Sequence, residues 1–185
     1  AVIMPTNPLS PPSELSYPLQ HSESILSVTQ PNLLSTVLAA KENCPNIRNV
    51  ILCQSIKKIE ETIFFNDLVS NQSTELKSLG LSPSDDAAIL YTSGTTSKPK
   101  GVLVTHANYI YLSEAISQSV RLSAKDRHLV TLPLFHANAQ YYSFMTALNV
   151  GGSVALMSRF SASRFMKQAA QHQCTITSLF AAPMR

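Results

Sequence analysis

The chain has 185 residues, 44% of them hydrophobic and 14% charged, enough apolar material for one sizeable core. Its net charge of +3 comes from dispersed Lys and Arg residues, without the basic stripe that nucleic-acid binding needs, so DNA and RNA are not expected partners. Cys44, Cys53 and Cys174 are far apart and form no C-x-x-C pair, which argues against a disulfide framework or a zinc site and for a reducing, cytoplasmic setting. No apolar run approaches the length of a membrane span and no cleavable leader is visible; without an initiator Met the chain is expected to begin mid-protein.

Short runs of β-forming residues alternate with helical patterns along the chain. AVIM at 1–4 predicts a strand, followed by a helix over 12–21 and a strand at 24–28. A helix over 32–43 leads to a strand at 49–53. From 55 to 86 the sequence is polar and without sustained period, and reads as a surface excursion. AAILY at 87–91 and VLV at 102–104 are strands, and 107–120 is a helix. HLVTL at 128–132 is a strand, 139–150 a helix ended by Gly151-Gly152, and 153–157 a strand. The last helix, 162–172, places Ala162, Phe165, Met166 and Ala169 on one face, with Ser161 or Ser163 as its cap, before a final strand at 175–180. Each parallel crossover needs a helix-length connection, so the pattern predicts an α/β fold: a mainly parallel sheet with helices on both faces. A division near 82–86 separates a first region, 1–81, from a second, 82–185, without a flexible linker.

The stretch TSGTTSKPKG, from Thr92 to Gly101, leaves the C-terminal end of a predicted strand, where open α/β sheets bind ligands. Gly94 allows successive N–H groups to converge on an anion; Thr92, Ser93, Thr95, Thr96 and Ser97 add hydroxyl donors, and Lys100 adds positive charge. The stretch is neither a P-loop, since the Lys precedes the second Gly, nor a G-x-G-x-x-G fingerprint, which leaves nicotinamide and flavin cofactors without support. By composition alone it reads rather as a solvated turn between strands.

Residue order goes further. YTSGTTSKPKGV, from Tyr91 to Val102, resembles the phosphate-loop signature of the acyl-adenylate-forming enzymes, the superfamily of acyl-CoA synthetases, luciferases and peptide-synthetase adenylation domains. AVIMPTNPLSPPSELSYPLQHS upstream, and TLPLFHANAQ and NVGGSVAL downstream, resemble the family's P-x-N-P segment, acyl-pocket segment and following glycine turn in the same order. Ser97 departs from the glycine commoner at that position. The resemblance implies part of the large N-terminal domain of such an enzyme, with the C-terminal domain absent. It implies a two-step reaction in which a small-molecule carboxylic acid attacks Mg-ATP to give acyl-AMP and pyrophosphate, and coenzyme A then takes the acyl group. Mg2+ is carried by the phosphates, and no dedicated metal site is expected.

On this resemblance Thr92, Ser93, Gly94, Thr95, Thr96, Ser97 and Lys100 bind the nucleotide phosphates. His136, in PLFHANA, lies at the mouth of the acyl pocket, which Asn138, Ala139 and Gln140 help line. Lys100 and His136 are the catalytic candidates. Without the motif, His136 reads as a structural residue after a strand, and Tyr141, Tyr142 and Phe144 are open to both core and pocket roles. His106 is assigned to the end of its strand and the cap of the next helix; His21, His128 and His172 have no supporting context. LPLFHANAQ suits a ligase better than a peptide-synthetase domain, and the resemblance implies a short, medium or polar acid, such as a carnitine-type or aliphatic carboxylate, as substrate. The chain by itself is expected to be inactive and prone to self-association. Two alternatives stay open: a non-catalytic relative that binds nucleotide or a partner chain, and the adenylation domain of another adenylate-forming enzyme.

Overall fold

Two strands begin from the same sequence device, a Ser-x-x-Asp turn. The Ser82 and Ser123 amides each donate to the carboxylate three residues on, Asp85 and Asp126, at 2.8 Å. In both turns the Asp amide donates back to the Ser carbonyl at 3.0 Å, and the chain leaves extended. These and all other features come from a computed structural model that describes residues 1–70, 72–92 and 98–180.

In chain order the elements are α1 (Pro12–His21), β1 (Leu26–Thr29), α2 (Leu34–Lys41), β2 (Asn49–Leu52), β3 (Thr62–Phe64), α3 (Phe65–Ser70), β4 (Asp86–Thr92) and β5 (Lys100–Thr105). There follow α4 (His106–Ser119), β6 (Arg127–Val130), a π-helix (Asn138–Met145), α5 (Thr146–Asn149), β7 (Ser153–Leu156), α6 (Phe165–Gln171) and β8 (Ile176–Thr177). The fold is α/β. Parallel pairing holds in two three-stranded sheets, β1-β2-β3 and β7-β6-β8, while β4 and β5 form a third, two-stranded sheet. The His106 amide donates to the Asp85 carbonyl at 3.1 Å, and the Thr92 hydroxyl lies 3.5 Å from the Lys100 carbonyl, so β4 and β5 run antiparallel.

The residues group into two compact units. One contains Thr6–Leu81 and Tyr91–Val102. Its core is built from Leu15 and Leu19 of α1, Val37 and Ala40 of α2, and Val50 and Leu52 of β2, the last two with no exposed surface. The other gathers Ala1–Pro5, Ser82–Leu90 and the chain from Leu103 onward. Here Ala88, Leu90, Val104, Tyr109 and Tyr141 form one cluster, and Val130, Leu132 and Ala139 another. Burial of each Leu or Val side chain among them contributes about 1.5–3 kcal/mol, and the alternation of strand and helix is what brings them together.

Several expectations are corrected. Residues 1–4 make only an isolated parallel bridge, Ile3 to Ala88, because the prolines and Asn7 that follow offer no continuing ladder. The segment 55–86 contains β3 and α3, and β3 extends a parallel sheet on β2. Thr105, not His106, caps α4, in a reciprocal capping box with Asn108. Residues 162–164 wind as a 3-10 turn, so a 3.6-residue period counted from Ala162 loses phase. None of the expected face is fully buried, and Met166 is 74% exposed. Ser161 makes no cap bond; its hydroxyl faces Ser163 and Arg164 instead.

The Gly151-Gly152 stop is as expected. Gly151 has φ +69°, its amide donates to the Leu148 carbonyl, and Gly152 donates to Ala147, which closes α5 in a Schellman motif.

His128, on the central strand β6, is 2% exposed; its Nε2 lies 3.4 Å from the Thr146 hydroxyl and its Nδ1 has no partner. Desolvation lowers its pKa, against the attraction of Asp126. The unfolded chain therefore takes up this proton at a higher pH than the folded one. Stability should fall as pH drops through and below the ordinary imidazole range, about 6.5. Asp126, held below the usual carboxylate range by hydrogen bonds from Ser123 and Thr175, adds to this loss only in stronger acid. A thermal midpoint that stays level from pH 7.5 to 5 would exclude His128 as the carrier.

Candidate functional site

The β4–β5 pair ends in two of the candidate residues, Thr92 and Lys100. Buried Ala88 and Leu90 anchor β4, and the strand runs out at Tyr91 and Thr92; after the intervening stretch, Lys98 and Pro99 lead into β5 at Lys100. Pro99 fixes the backbone just before Lys100. Thr92 and Lys100 are both solvent-exposed and stand side by side, the Thr92 hydroxyl 3.5 Å from the Lys100 carbonyl. The Thr92 hydroxyl donates to that carbonyl and so ties the end of β4 to the start of β5. Ser93, Gly94, Thr95, Thr96 and Ser97 lie outside the described residues.

The second set follows β6. The chain turns at Pro133 to His136, where the His136 amide donates to the Pro133 carbonyl at 3.0 Å, and enters the π-helix at Asn138. His136 is exposed, with its ring 4.3 Å from that of Phe135. Asn138 is half-buried: its amide nitrogen donates to the Ser178 hydroxyl at 3.0 Å, and its buried Oδ1 has no partner among the described residues. Ala139 has no exposed surface and packs with Val130 and Leu132. Gln140 is 9% exposed and engaged at both ends, its Nε2 donating to the Leu134 carbonyl and its Oε1 accepting from the Tyr109 hydroxyl at 2.5 Å. Tyr141 stacks on Tyr109 at 4.9 Å, and burial with Tyr109 nearby pushes its phenol up to about 12; it is a core aromatic, whereas Tyr142 is 46% exposed. The π-helix Asn138–Met145 opens two residues after His136, and helices of this kind are rare.

Among the described residues no three His, Cys, Asp or Glu side chains gather as a metal cage, and no helix is long and apolar enough to cross a membrane.

The family model described as AMP-binding enzyme matches residues 1–184. The chain belongs to this family. A sulfoacetate–CoA ligase of Cupriavidus necator is 33% identical over 175 residues, 94% of this chain and 33% of the relative. A crotonobetaine/carnitine–CoA ligase of Salmonella agona is 31% identical over 180 residues, 96% of this chain and 35% of the relative. The chain thus spans about a third of the length of the curated relatives it matches. Among solved structures, the anthranilate CoA ligase AuaEII in complex with anthranoyl-AMP superposes with a TM-score of 0.88 at 22% identity, over 96% of this chain and 35% of that one, a likeness of fold.

One contact beside the Tyr91–Val102 signature has no counterpart in the sequence pattern. His21 and Tyr17, dismissed or unmentioned as site residues, lie on α1 against Tyr91, the residue that opens the signature, with His21 Nδ1 2.8 Å from the Tyr91 hydroxyl. Tyr17 and His21 are four residues apart on a predicted helix, which puts them on one face, but no local signal ties that face to a residue seventy positions away.

Proposed function

We propose that the full-length protein is an ATP-dependent acid–thiol ligase that converts a carboxylic acid to acyl-AMP and passes the acyl group to coenzyme A. The observation that carries this reading is the Tyr91–Val102 signature, whose Thr92 and Lys100 adjoin at the end of an antiparallel strand pair. A carboxylate attacks a polyanion poorly, so the task of the site is to hold reactants in line and spread charge. Lys100 and Thr92 are assigned to the nucleotide phosphates, together with Ser93, Gly94, Thr95, Thr96 and Ser97 on the strength of the motif. Mg2+ bound to those phosphates would supply further charge neutralisation.

His136 is assigned to the acid, whose carboxylate its ring would orient and shield from water. Asn138 is assigned to the acid's tail, and Ala139 and Gln140 shape the turn from behind. A short, polar acid is the favoured substrate class, supported by the unpartnered Asn138 Oδ1 and by relatives named for sulfoacetate and for crotonobetaine and carnitine. The free thiols Cys44, Cys53 and Cys174 support a reducing, cytoplasmic setting. Taken alone, the chain is expected to make no acyl-AMP and to self-associate, the latter supported by the exposed apolar Val28, Leu103 and Met166 and checked by light scattering.

Acid-dependent exchange of labelled pyrophosphate into ATP, run over short polar, short apolar and long-chain acids, tests the activity; no exchange with any of them would reject it. His136→Ala should lower kcat/KM for the acid about tenfold, the equivalent of one lost charge-assisted hydrogen bond, while KM for ATP stays within twofold. A loss confined to ATP would remove His136 from the acid's side of the reaction.

A further inference from the structure

One face of α1 holds the chain on both sides of the signature stretch. Tyr17 and His21 sit together on that face with ring centroids 5.3 Å apart, and Tyr91 stands edge-on to both at 6.4 and 5.9 Å. The Tyr91 hydroxyl is 2.8 Å from His21 Nδ1 and 3.4 Å from the Pro18 carbonyl. Lys98 places its ammonium 5.1 Å from the centre of the Tyr17 ring, within cation–π range. Tyr91 immediately precedes Thr92, and Lys98 precedes Lys100 by two residues across a proline. These contacts are poor candidates for general stabilisation: His21 and Lys98 are exposed, and such bonds in water add little to folding. What they do is restrict where the two strand ends lie. Burial and the neighbouring Tyr17 push the Tyr91 phenol up, so it stays a hydrogen-bonding neutral hydroxyl at working pH.

We propose that Tyr17 and His21 are positioning residues for the phosphate-binding pair: through Tyr91 and Lys98 the α1 face fixes Thr92 and Lys100 in the places from which they meet the ATP phosphates. This rests on the phosphate role proposed for Lys100. Misplacing a catalytic group by about an ångström is costly to rate, so weak contacts at these positions have a kinetic effect out of proportion to their stability.

The test is pyrophosphate exchange in the full-length protein with varied ATP and varied acid, alongside thermal midpoints. His21→Phe keeps a ring and loses the bond to Tyr91; it should raise KM for ATP about fivefold with KM for the acid and the midpoint unchanged. Tyr91→Phe should act to the same extent, and the double variant no further, because both remove one bond. His21→Asn, whose short amide puts a polar atom where Nδ1 stood, should recover most of the loss. Tyr17→Leu should also raise KM for ATP, and Lys98→Met should add little to it. Lys100→Ala is run in parallel. If Lys100→Ala impairs ATP use and the α1 variants do not, the positioning role fails and the phosphate reading stands. If Lys100→Ala leaves ATP kinetics intact, both fall. Additive effects of His21→Phe and Tyr91→Phe, or a lowered midpoint with equal losses for ATP and acid, would assign α1 a merely structural part.

Discussion

Lys100→Ala in the full-length protein is expected to slow acyl-adenylate formation by about 10²–10³-fold, while thioester formation from supplied acyl-adenylate and coenzyme A changes little. The asymmetry follows from the order of events. The phosphates assigned to Lys100 leave as pyrophosphate after the first half-reaction, so a charge that stabilises their departure has nothing to act on in the second. Removal of one preorganised donor from a developing anion costs about 3–4 kcal/mol, the source of the magnitude. Lys100→Arg keeps the charge on a longer, planar head and should recover only part of the rate. Single-turnover measurement of the two half-reactions decides the matter: equal losses in both would place Lys100 elsewhere in the cycle.

The β4–β5 pair was legible because the signature couples chemistry to backbone. An apolar strand runs to Tyr91, a Pro is fixed at 99 and a second strand starts at once, so the order of residues dictates both the pairing and the adjacency of Thr92 and Lys100. Helix α1 was also legible, from Pro at its first position and the apolar spacing of Leu15 and Leu19. Other parts were hidden for identifiable reasons. β3 has three residues, too few to show a period, and gains its place only by pairing with β2. The π-helix differs from an α-helix in its backbone bonding, which residue types do not announce, so its sequence reads as an ordinary helix. Helix ends were harder still. Glu23, Arg121 and Gln173 occupy left-handed backbone after α1, α4 and α6 at φ 53°, 54° and 52°, where only Gly151 after α5 announces itself. Each of these side chains costs about 1–2 kcal/mol in that conformation, held there by the bonds that close the helix, such as Leu122 amide to Ser117 carbonyl.

The candidate site was legible in the same uneven way. His136 and Asn138 are at a turn and a helix start where the motif puts them, but Ala139 and Gln140 face inward, because a period-blind motif cannot tell a lining residue from the one behind it. His21 was invisible for the opposite reason: its partner is supplied by the fold.

Gln140 is where these two lessons meet, and Gln140→Leu separates them. Its side chain joins the turn that carries His136 to α4: Nε2 donates to the Leu134 carbonyl and Oε1 accepts from Tyr109, in a core where Tyr141 stacks on the same tyrosine. Leucine fills a similar volume and satisfies neither group. An orphaned buried donor and an orphaned buried acceptor cost about 1–3 kcal/mol each, so Gln140→Leu should lose about 2–6 kcal/mol of stability, read as a lower denaturant midpoint at unchanged slope. Tyr109→Phe should lose roughly half as much, since it strands only the glutamine oxygen. The double variant should be less destabilised than the sum of the two, because it no longer buries a partnerless tyrosine hydroxyl. With the turn released, KM for the acid should rise at temperatures where the variant is still folded. A Gln140→Leu protein of normal stability whose only defect is in acid affinity would instead show that the amide contacts the substrate, and that the turn is held by the backbone alone.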